Sequence, residues 1–168
     1  MCGRDWSSDV CSSDLNVQLN ILSKTAPMLN KLKDKMERKI AETDLSDTIK
    51  FDLNTRLAGM PKHNKICHGD FNPSNVIIKP DGIPYVIDWA HVTQGNSSAD
   101  AARTYLLFNL SGKKEEAELY LQKFSEKSKI EKRYIQKWIP IVAAAHLSKA
   151  SEEEKAFLMN WIDVVDYN

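Results

Sequence analysis

The sequence predicts an α+β fold in which a mostly helical body carries one small β-hairpin. Most of the chain has apolar residues spaced three or four apart, the period of a helix that buries one face. Two runs rich in Val and Ile, residues 75–79 and 83–88, interrupt this period and flank Pro80-Asp81-Gly82, which is typical of a hairpin turn. With 168 residues and 42% apolar composition, the chain has the size of one globular domain.

Charge and hydropathy exclude two classes of protein. The 23 basic residues balance 23 acidic ones, whereas a general nucleic-acid binder needs a clustered excess of Lys and Arg. No apolar run approaches the roughly 20 residues that span a bilayer, and the N-terminus lacks the basic-then-apolar order of a secretory signal. The cysteines Cys2, Cys11 and Cys67 have no metal-binding spacing. We therefore expect a cytoplasmic protein with a small-molecule ligand, no membrane attachment and no nucleic-acid partner.

The first 15 residues differ in composition from the rest of the chain. They are rich in Ser and Asp, and they have neither a helical nor a strand period. Residues 5–15 resemble the translation of a common sequencing-library adapter, and such segments are excluded from fold prediction. We predict that residues 1–15 are not native, that the domain is residues 16–168, and that the chain is a C-terminal fragment.

Two amphipathic helices are predicted before the hairpin. The first begins near Pro27, with Thr25 as its cap. The second is capped by Ser46 or Asp47 and ends at Gly59. The apolar stripe of the first helix is Leu29, Leu32, Met36 and Ile40.

Helical patterns return after a polar loop at residues 91–98. The predicted helices are residues 99–110, 113–127 and 130–148 and a final C-terminal segment. Pro140 should kink the third of them, because proline has no N–H for the helical ladder. Ser151 and Glu154 form a capping-box pattern that opens the last helix.

The candidate catalytic and metal-binding residues lie around the hairpin. Asp70 precedes it, Asn75 begins its first strand and Asp88 ends its second, so the hairpin should bring Asn75 and Asp88 together. Phosphoryl transfer needs a carboxylate near the attacking hydroxyl and a metal that bridges the phosphates. Asp70 can take the proton, and Asn75 and Asp88 offer the hard oxygen ligands that Mg²⁺ prefers.

The histidines and the cysteine are interpreted as structural residues and not as metal ligands or nucleophiles. His68 has no cysteine or well-spaced histidine partner for zinc, and we predict that it braces the loop while Gly69 permits a tight turn. Cys67 follows an isoleucine and should be a buried, inert thiol. His91 and His146 are single histidines, for which surface or internally satisfied positions are expected.

Residues 68–76, HGDFNPSNV, followed by residues 86–89, VIDW, resemble the catalytic loop and metal-binding segment of the aminoglycoside phosphotransferase and choline kinase-like family. The first run is similar to the kinase His-Arg-Asp pattern with an Asn five places after the Asp, and the second lies where protein kinases have Asp-Phe-Gly. The resemblance implies a protein kinase-like C-terminal lobe. It also implies that Asp70 is the catalytic base and that Asn75 and Asp88 hold Mg²⁺ and its nucleotide.

The resemblance carries further expectations about this chain. Asp100 matches a family aspartate that belongs to the scaffold of the catalytic loop, whereas the N-terminal lobe, with its Gly-rich loop and strand lysine, has no counterpart. It implies ATP or another nucleoside triphosphate as donor and an aminoglycoside, choline or amino alcohol as acceptor, with no activity in the truncated chain alone. The alternative is a catalytically silent nucleotide-binding or scaffold protein of the same fold. A group of acidic residues near the C-terminus has two interpretations: a solvated helix face, or a site that meets a cationic substrate. These residues are Glu152, Glu153, Glu154 and Asp163.

Overall fold

The computed structural model describes residues 12–162. Within this range the chain is helix-rich with two small antiparallel sheets, which confirms the mixed class predicted from the sequence. The helices are α1 (Ser12–Leu22), α2 (Leu32–Ala41), α3 (Asp47–Gly59), α4 (Ser97–Leu110), α5 (Lys114–Ser128), α6 (Lys132–Gln136), α7 (Ile139–His146) and α8 (Glu152–Ile162). The strands are β1 (Lys65–Cys67), β2 (Val76–Ile78), β3 (Pro84–Val86) and β4 (Thr93–Gly95).

The predicted hairpin is present. β2 and β3 pair antiparallel, with Val76 opposite Val86 and Ile78 opposite Pro84. Gly82 closes the turn in the left-handed region, with φ +82°, and its N–H donates to the Lys79 carbonyl at 2.8 Å. The strands are shorter than the two apolar runs, and the pairing brings residue 75 next to residue 87, where the Ile87 N–H donates to the Asn75 carbonyl at 2.9 Å.

A second strand pair was not predicted. β1 and β4 are antiparallel, with Lys65 opposite Gly95 and Cys67 opposite Thr93. The predicted loop over residues 91–98 is therefore wrong at residues 93–95, because a three-residue Thr-Gln-Gly strand has too few positions to show alternation. The pair matters for the site, since β1 ends immediately before His68.

The first predicted helix begins later than expected. α2 starts at Leu32, and its N-cap, Lys31, makes no capping side-chain bond. Thr25 forms an isolated β-bridge with Lys65, so the prediction that Thr25 caps the helix is wrong. The segment between α1 and α2 runs beside β1 and β4, and this pairing outweighs its weak local helix signal. Leu29 consequently lies in a turn outside the helix.

α1 begins inside the segment predicted to derive from an adapter. Leu15 is fully buried in the core, and the helix continues to Leu22. Residues 1–11, with Cys2 and Cys11, lie outside the described residues. The non-native origin of residues 1–15 stays a prediction.

Pro140 divides the apolar segment after α5 into two helices. α6 ends at Gln136, and α7 begins at Ile139 with Pro140 in its first turn. The predicted single kinked helix is wrong, because the first turn is where a missing N–H costs nothing.

Two predicted caps are present. Ser46 accepts the Ile49 N–H at the start of α3. At α8 the capping box is complete, because the Ser151 hydroxyl accepts the Glu154 N–H at 3.2 Å and the Glu154 carboxylate accepts the Ser151 N–H at 3.3 Å.

α4 lies at the centre of the helical body, where it packs against α5, α6 and α7. Phe71, from the loop between β1 and β2, is fully buried, and so is Trp138. The loop is thereby anchored to the helical core. No helix in the described range is long and apolar enough to cross a membrane.

Candidate active site

The carboxylate of Asp70 is oriented by two asparagine amides. Asn72 Nδ2 donates to the Asp70 carbonyl at 3.0 Å and, more weakly, to Oδ1 at 3.4 Å. Asn75 Nδ2 donates to the same carbonyl at 2.8 Å and to Asp70 Oδ2 at 3.1 Å. Each carboxylate oxygen therefore faces one amide N–H, and Asp70 itself is half-buried. A carboxylate held in this way has a fixed direction in which to accept a proton.

The orientation of the Asn75 amide follows from its partners. Both Asp70 atoms that it contacts are acceptors, so the NH₂ group must face them and Oδ1 must point away. Within residues 12–162 no donor reaches Asn75 Oδ1. The structure thus brings Asp70 and Asn75 together and leaves one amide oxygen open.

Asp88 lies two residues beyond β3, at the same end of the hairpin as Asn75. Its backbone has φ +58°, a left-handed conformation that aspartate tolerates better than most residues and that clusters at functional sites. Its carboxylate is exposed and has no protein partner in the described part of the chain. Among the described residues no three His, Cys, Asp or Glu side chains gather into a metal-holding group, so the metal role of Asn75 and Asp88 stays a prediction.

His68 connects the loop to the end of the hairpin. Its Nδ1 accepts the Asp70 N–H at 3.1 Å, so its Nε2 carries the proton and donates to the Ile87 carbonyl at 3.0 Å. The ring is buried and meets Trp89 edge-on, with centroids 4.7 Å apart. This geometry is that of a brace between the residues before and after the hairpin.

One face of α4 holds the backbone of the loop. Asp100 Oδ1 accepts the Gly69 N–H at 2.8 Å, and Arg103 Nε donates to the Gly69 carbonyl at 3.2 Å. Thr104 Oγ1 donates to the Phe71 carbonyl at 2.6 Å. Residues at positions i, i+3 and i+4 share a helix face, so the spacing of these three was the signal for Arg103 and Thr104, which sequence reasoning missed.

Asp100 is also tied to α1. Gln18 Nε2 donates to Asp100 Oδ2 at 3.2 Å, and the Tyr120 hydroxyl donates to Gln18 Oε1 at 2.6 Å. Burial raises the pKa of Asp100, while the Gly69 N–H and Gln18 act in the opposite direction. Sequence separations of 82 and 102 residues left no signal that could have found Gln18.

Gly69 is required by both conformation and space. Its φ is +86°, and a Cβ on it would lie 2.6 Å from the His91 carbonyl oxygen. Gly82 has a similar φ of +82° but nothing within 4 Å of the Cβ position. We expect Gly82→Ala to cost about 1–2 kcal/mol of unfolding free energy from backbone strain alone. Gly69→Ala should cost about 1–3 kcal/mol more, because His91 must also move.

Urea unfolding followed by circular dichroism measures both costs. Gly82→Ala serves as the matched control for left-handed strain, so the difference between the variants isolates the contact with His91. Equal losses would contradict the tight approach of His91 to the loop.

Arg103 makes a second contact, with His146 at the end of α7. Arg103 Nη1 lies 2.7 Å from His146 Nδ1 and donates to it, while His146 Nε2 is 3.8 Å from the Glu154 carboxylate. Burial, followed by the Arg103 charge, lowers the pKa of His146 to about 4. His146 is therefore neutral at pH 7 and accepts a hydrogen bond from Arg103. Of the two positions expected for this histidine, surface or internally hydrogen-bonded, it occupies the second.

This lowered pKa predicts a pH dependence of stability. The unfolded chain binds a proton at His146 near pH 6.5 and the folded chain only near pH 4, so stability is full above about pH 6.5 and falls as pH drops toward 4. The whole shift corresponds to roughly 3 kcal/mol, which partial solvent screening should reduce to about 1–2 kcal/mol. In His146→Gln the urea midpoint should change less with pH across this range than in the wild type. In His63→Gln, a change at an exposed position, the pH dependence of the midpoint should stay as in the wild type. An unchanged profile in His146→Gln would refute this origin.

The remaining sequence candidates lie as follows. Cys67 is buried, and burial followed by the Asp100 charge raises the pKa of its thiol, which confirms the buried cysteine. Glu152 and Glu153 are exposed, and Glu154 is half-buried beside His146. Asp163 lies outside the described residues.

Comparisons with known proteins concern the family and the fold of the chain. The model of the phosphotransferase enzyme family matches residues 21–153. No curated protein matches the sequence significantly.

Solved structures with a similar fold include choline kinase LicA from Streptococcus pneumoniae, with TM-score 0.62, 17% identity and coverage of 95% of this chain and 66% of that one. A LicA complex with AMP matches with TM-score 0.55, 17% identity and coverage of 91% and 61%. Macrolide 2′-phosphotransferase MphH from Brachybacterium faecium matches with TM-score 0.50, 16% identity and coverage of 98% and 63%.

The chain thus spans just under two thirds of the length of these proteins, and at such identities the likeness concerns the fold. The family match covers most of the chain, and its range includes Asp70, Asn75 and Asp88. The chain belongs to the phosphotransferase enzyme family.

Proposed function

We propose that this chain forms the acceptor-side lobe of a cytoplasmic, ATP- and Mg²⁺-dependent phosphotransferase that acts on a hydroxyl group of a small molecule. The observation that carries the proposal is the Asp70 carboxylate, which Asn72 and Asn75 hold, together with the open amide oxygen of Asn75 and the Asp88 carboxylate at the same end of the hairpin. In this function Asp70 accepts the hydroxyl proton as the oxygen attacks the phosphoryl group.

The donor set at the hairpin fits a magnesium ion. Asn75 Oδ1 and the Asp88 carboxylate are hard oxygen atoms without protein partners in the described chain, and Mg²⁺ is commonly held by one or two such groups plus phosphate and water. When bound there, the ion would offset charge on the transferred phosphoryl group. The chain's own contribution is to orient Asn75 Oδ1, through the Asp70 contacts to the Asn75 amide, and to place Asp88 at the same end of the hairpin.

The hairpin also presents an apolar face that suits a nucleotide base. Ile77 and Tyr85 lie directly opposite each other in the ladder and are 49% and 48% exposed, and Ile83 and Ile87 continue the face on the second strand. Neighbouring exposed apolar side chains of this kind are common at binding sites. We propose that the base of ATP packs here and that a second lobe closes over it. The structure of LicA, which has a similar fold, in complex with AMP supports nucleotide binding.

Phosphate transfer by the protein expressed from its full genomic reading frame tests the proposal. With Mg²⁺ and γ-labelled ATP, label should appear on hydroxyl acceptors drawn from polyols, amino alcohols and aminoglycosides. Nucleotide binding by calorimetry without transfer to any acceptor would favour the catalytically silent alternative. Omission of Mg²⁺ is the matched control, and undiminished transfer without it would contradict the metal role.

A further inference from the structure

A small cavity of about 70 Å³ lies beside the catalytic loop, between α2, α4 and α7. Gly69 and His91 form its edge on the loop side, and its floor is apolar, with Leu32, Met36 and Val142. None of its lining residues comes from β2 or β3. The space therefore belongs to the helical side of Asp70 and not to the proposed nucleotide face, and it has room for a group of a few heavy atoms.

Positive charge dominates the lining of this cavity. Among residues 12–162, the charged side chains that line it are four cationic ones and one acidic one, Asp100. Asp100 is buried and already accepts bonds from the Gly69 N–H and Gln18, and its charge acts on Arg103, so it offsets only part of the positive charge. The four cationic residues, called here the cation cluster, are Lys35, Lys39, Arg103 and Lys149.

Most of the cation cluster lacks a carboxylate partner. Within residues 12–162 Lys35, Arg103 and Lys149 form no ion pair, and Lys39 reaches Glu42 only at 3.8 Å. Lys35 Nζ donates to the His91 carbonyl at 3.2 Å, which turns it toward the loop. Burial followed by Lys149 lowers the pKa of Lys35, and burial followed by Lys39 and Arg103 lowers that of Lys149. Repulsion among the cations is thus the second contribution to these shifts after burial, and a bound anion would relieve that part.

The cation cluster also lies within electrostatic reach of Asp70. The Asp70 charge acts on Arg103, on Lys149 and on His91, which shares the cavity. An acceptor whose anionic group occupies the cavity would therefore hold its remaining atoms near the Asp70 carboxylate. A cationic acceptor would instead meet four like charges, each of which disfavours it.

We propose that the cation cluster binds an anionic group of the acceptor, so that the substrate is a small hydroxyl compound carrying a phosphate or carboxylate. This inference rests on the proposed function for its acceptor role. Lys35 of α2 and Lys149, which follows α7, both line the cavity and supply charge, and Arg103 supplies the guanidinium next to the loop. The site selects against choline-like and aminoglycoside-like acceptors by charge.

Calorimetric titration with inorganic phosphate at low ionic strength tests the anion site without turnover. The double variant Lys35→Gln/Lys149→Gln should bind phosphate on the order of tenfold more weakly, because two charge-assisted contacts are lost. The control Lys114→Gln/Lys132→Gln removes the same charge from exposed positions on α5 and α6 and should bind as the wild type does. Equal binding by both double variants, or loss in both, would overturn the site.

Acceptor kinetics then separate the inference from the function on which it rests. Glycerol 3-phosphate and gluconate should be phosphorylated in preference to glycerol, choline and kanamycin, and Lys35→Gln/Lys149→Gln should raise KM for the anionic acceptors about tenfold with kcat little changed. Preference for choline or kanamycin with unchanged kinetics in that variant would overturn the inference and keep the proposed function. Lysine-dependent phosphate binding without transfer to any acceptor would remove the function and leave an anion site. Competition of ATP with phosphate for the same lysines would assign the cluster to the nucleotide instead and refute the acceptor role.

Discussion

Asp70→Asn should lower kcat for phosphoryl transfer by on the order of a hundredfold or more, with KM for both substrates changed only a few-fold. The asparagine keeps the size of the aspartate, both contacts to its backbone carbonyl and one of the two contacts to its side chain, so the loop between β1 and β2 should stay in place. It cannot accept the hydroxyl proton, and general-base catalysis is worth roughly 10²–10⁴-fold. Because the loss occurs in the transition state, it should appear in kcat and not in ground-state binding.

Asp81→Asn is the matched control for this variant. Asp81 lies exposed in the hairpin turn, where its Oδ1 accepts the Ile83 N–H, a bond that asparagine can keep. Its activity should equal that of the wild type. Turnover by Asp70→Asn within a few-fold of wild type would show that another group takes the proton.

Asp88→Asn should lower kcat/KM by about a hundredfold at millimolar Mg²⁺. The substitution removes the negative charge while retaining a side chain that tolerates the left-handed φ of +58°, so backbone strain does not confuse the result. A metal ion acting on a transferred phosphoryl group is worth several kcal/mol, which sets the size of the loss when its charged ligand is weakened.

The metal concentration distinguishes Asp88 from Asp70. Raising Mg²⁺ should restore part of the activity of Asp88→Asn, because the weakened site still has one amide oxygen in addition to Asn75 Oδ1. It should not restore Asp70→Asn, whose defect lies in proton transfer. Equal response of the two variants to Mg²⁺ would contradict the separate roles proposed for them.

The hairpin and the helix caps could be predicted because they depend on neighbouring residues. Pro80-Asp81-Gly82 requires a turn whatever surrounds it, and Ser151 and Glu154 bond to each other's backbone within one helical turn. The loop of Asp70 and Asn75 could be located for the same reason, since its motif is contiguous.

The support of that loop could not be predicted in full, because it comes from distant parts of the chain. Gln18 reaches Asp100 from α1, and Arg103 meets His146 from α7, contacts that exist only once α4 is packed. The strand at residues 93–95 is too short to show the alternation of apolar and polar residues. Thr25, which the sequence predicts as a helix cap, forms a β-bridge with Lys65 instead. Tertiary pairing outweighed local propensity at each of these positions.

The cation cluster could not be predicted from the sequence either. Lys35 and Lys39 stand four apart on α2 and look like an ordinary solvated face, while Lys149 follows α7. Only the packing of α2 against α7 turns them toward one cavity beside the loop. The acidic residues of α8, which the sequence offered for a cationic substrate, do not line that cavity in the described chain.

The central claim is that Asn75 and Asp88 hold a divalent metal next to Asp70. Mn²⁺ added to the ¹⁵N-labelled protein with a non-hydrolysable ATP analogue broadens the amide signals closest to the bound ion. We predict broadening centred on Asn75 and Asp88, with Asp70 affected next, and its loss in Asp88→Asn. Broadening centred on Glu152 and Glu153, or a pattern unchanged in Asp88→Asn, would contradict the account.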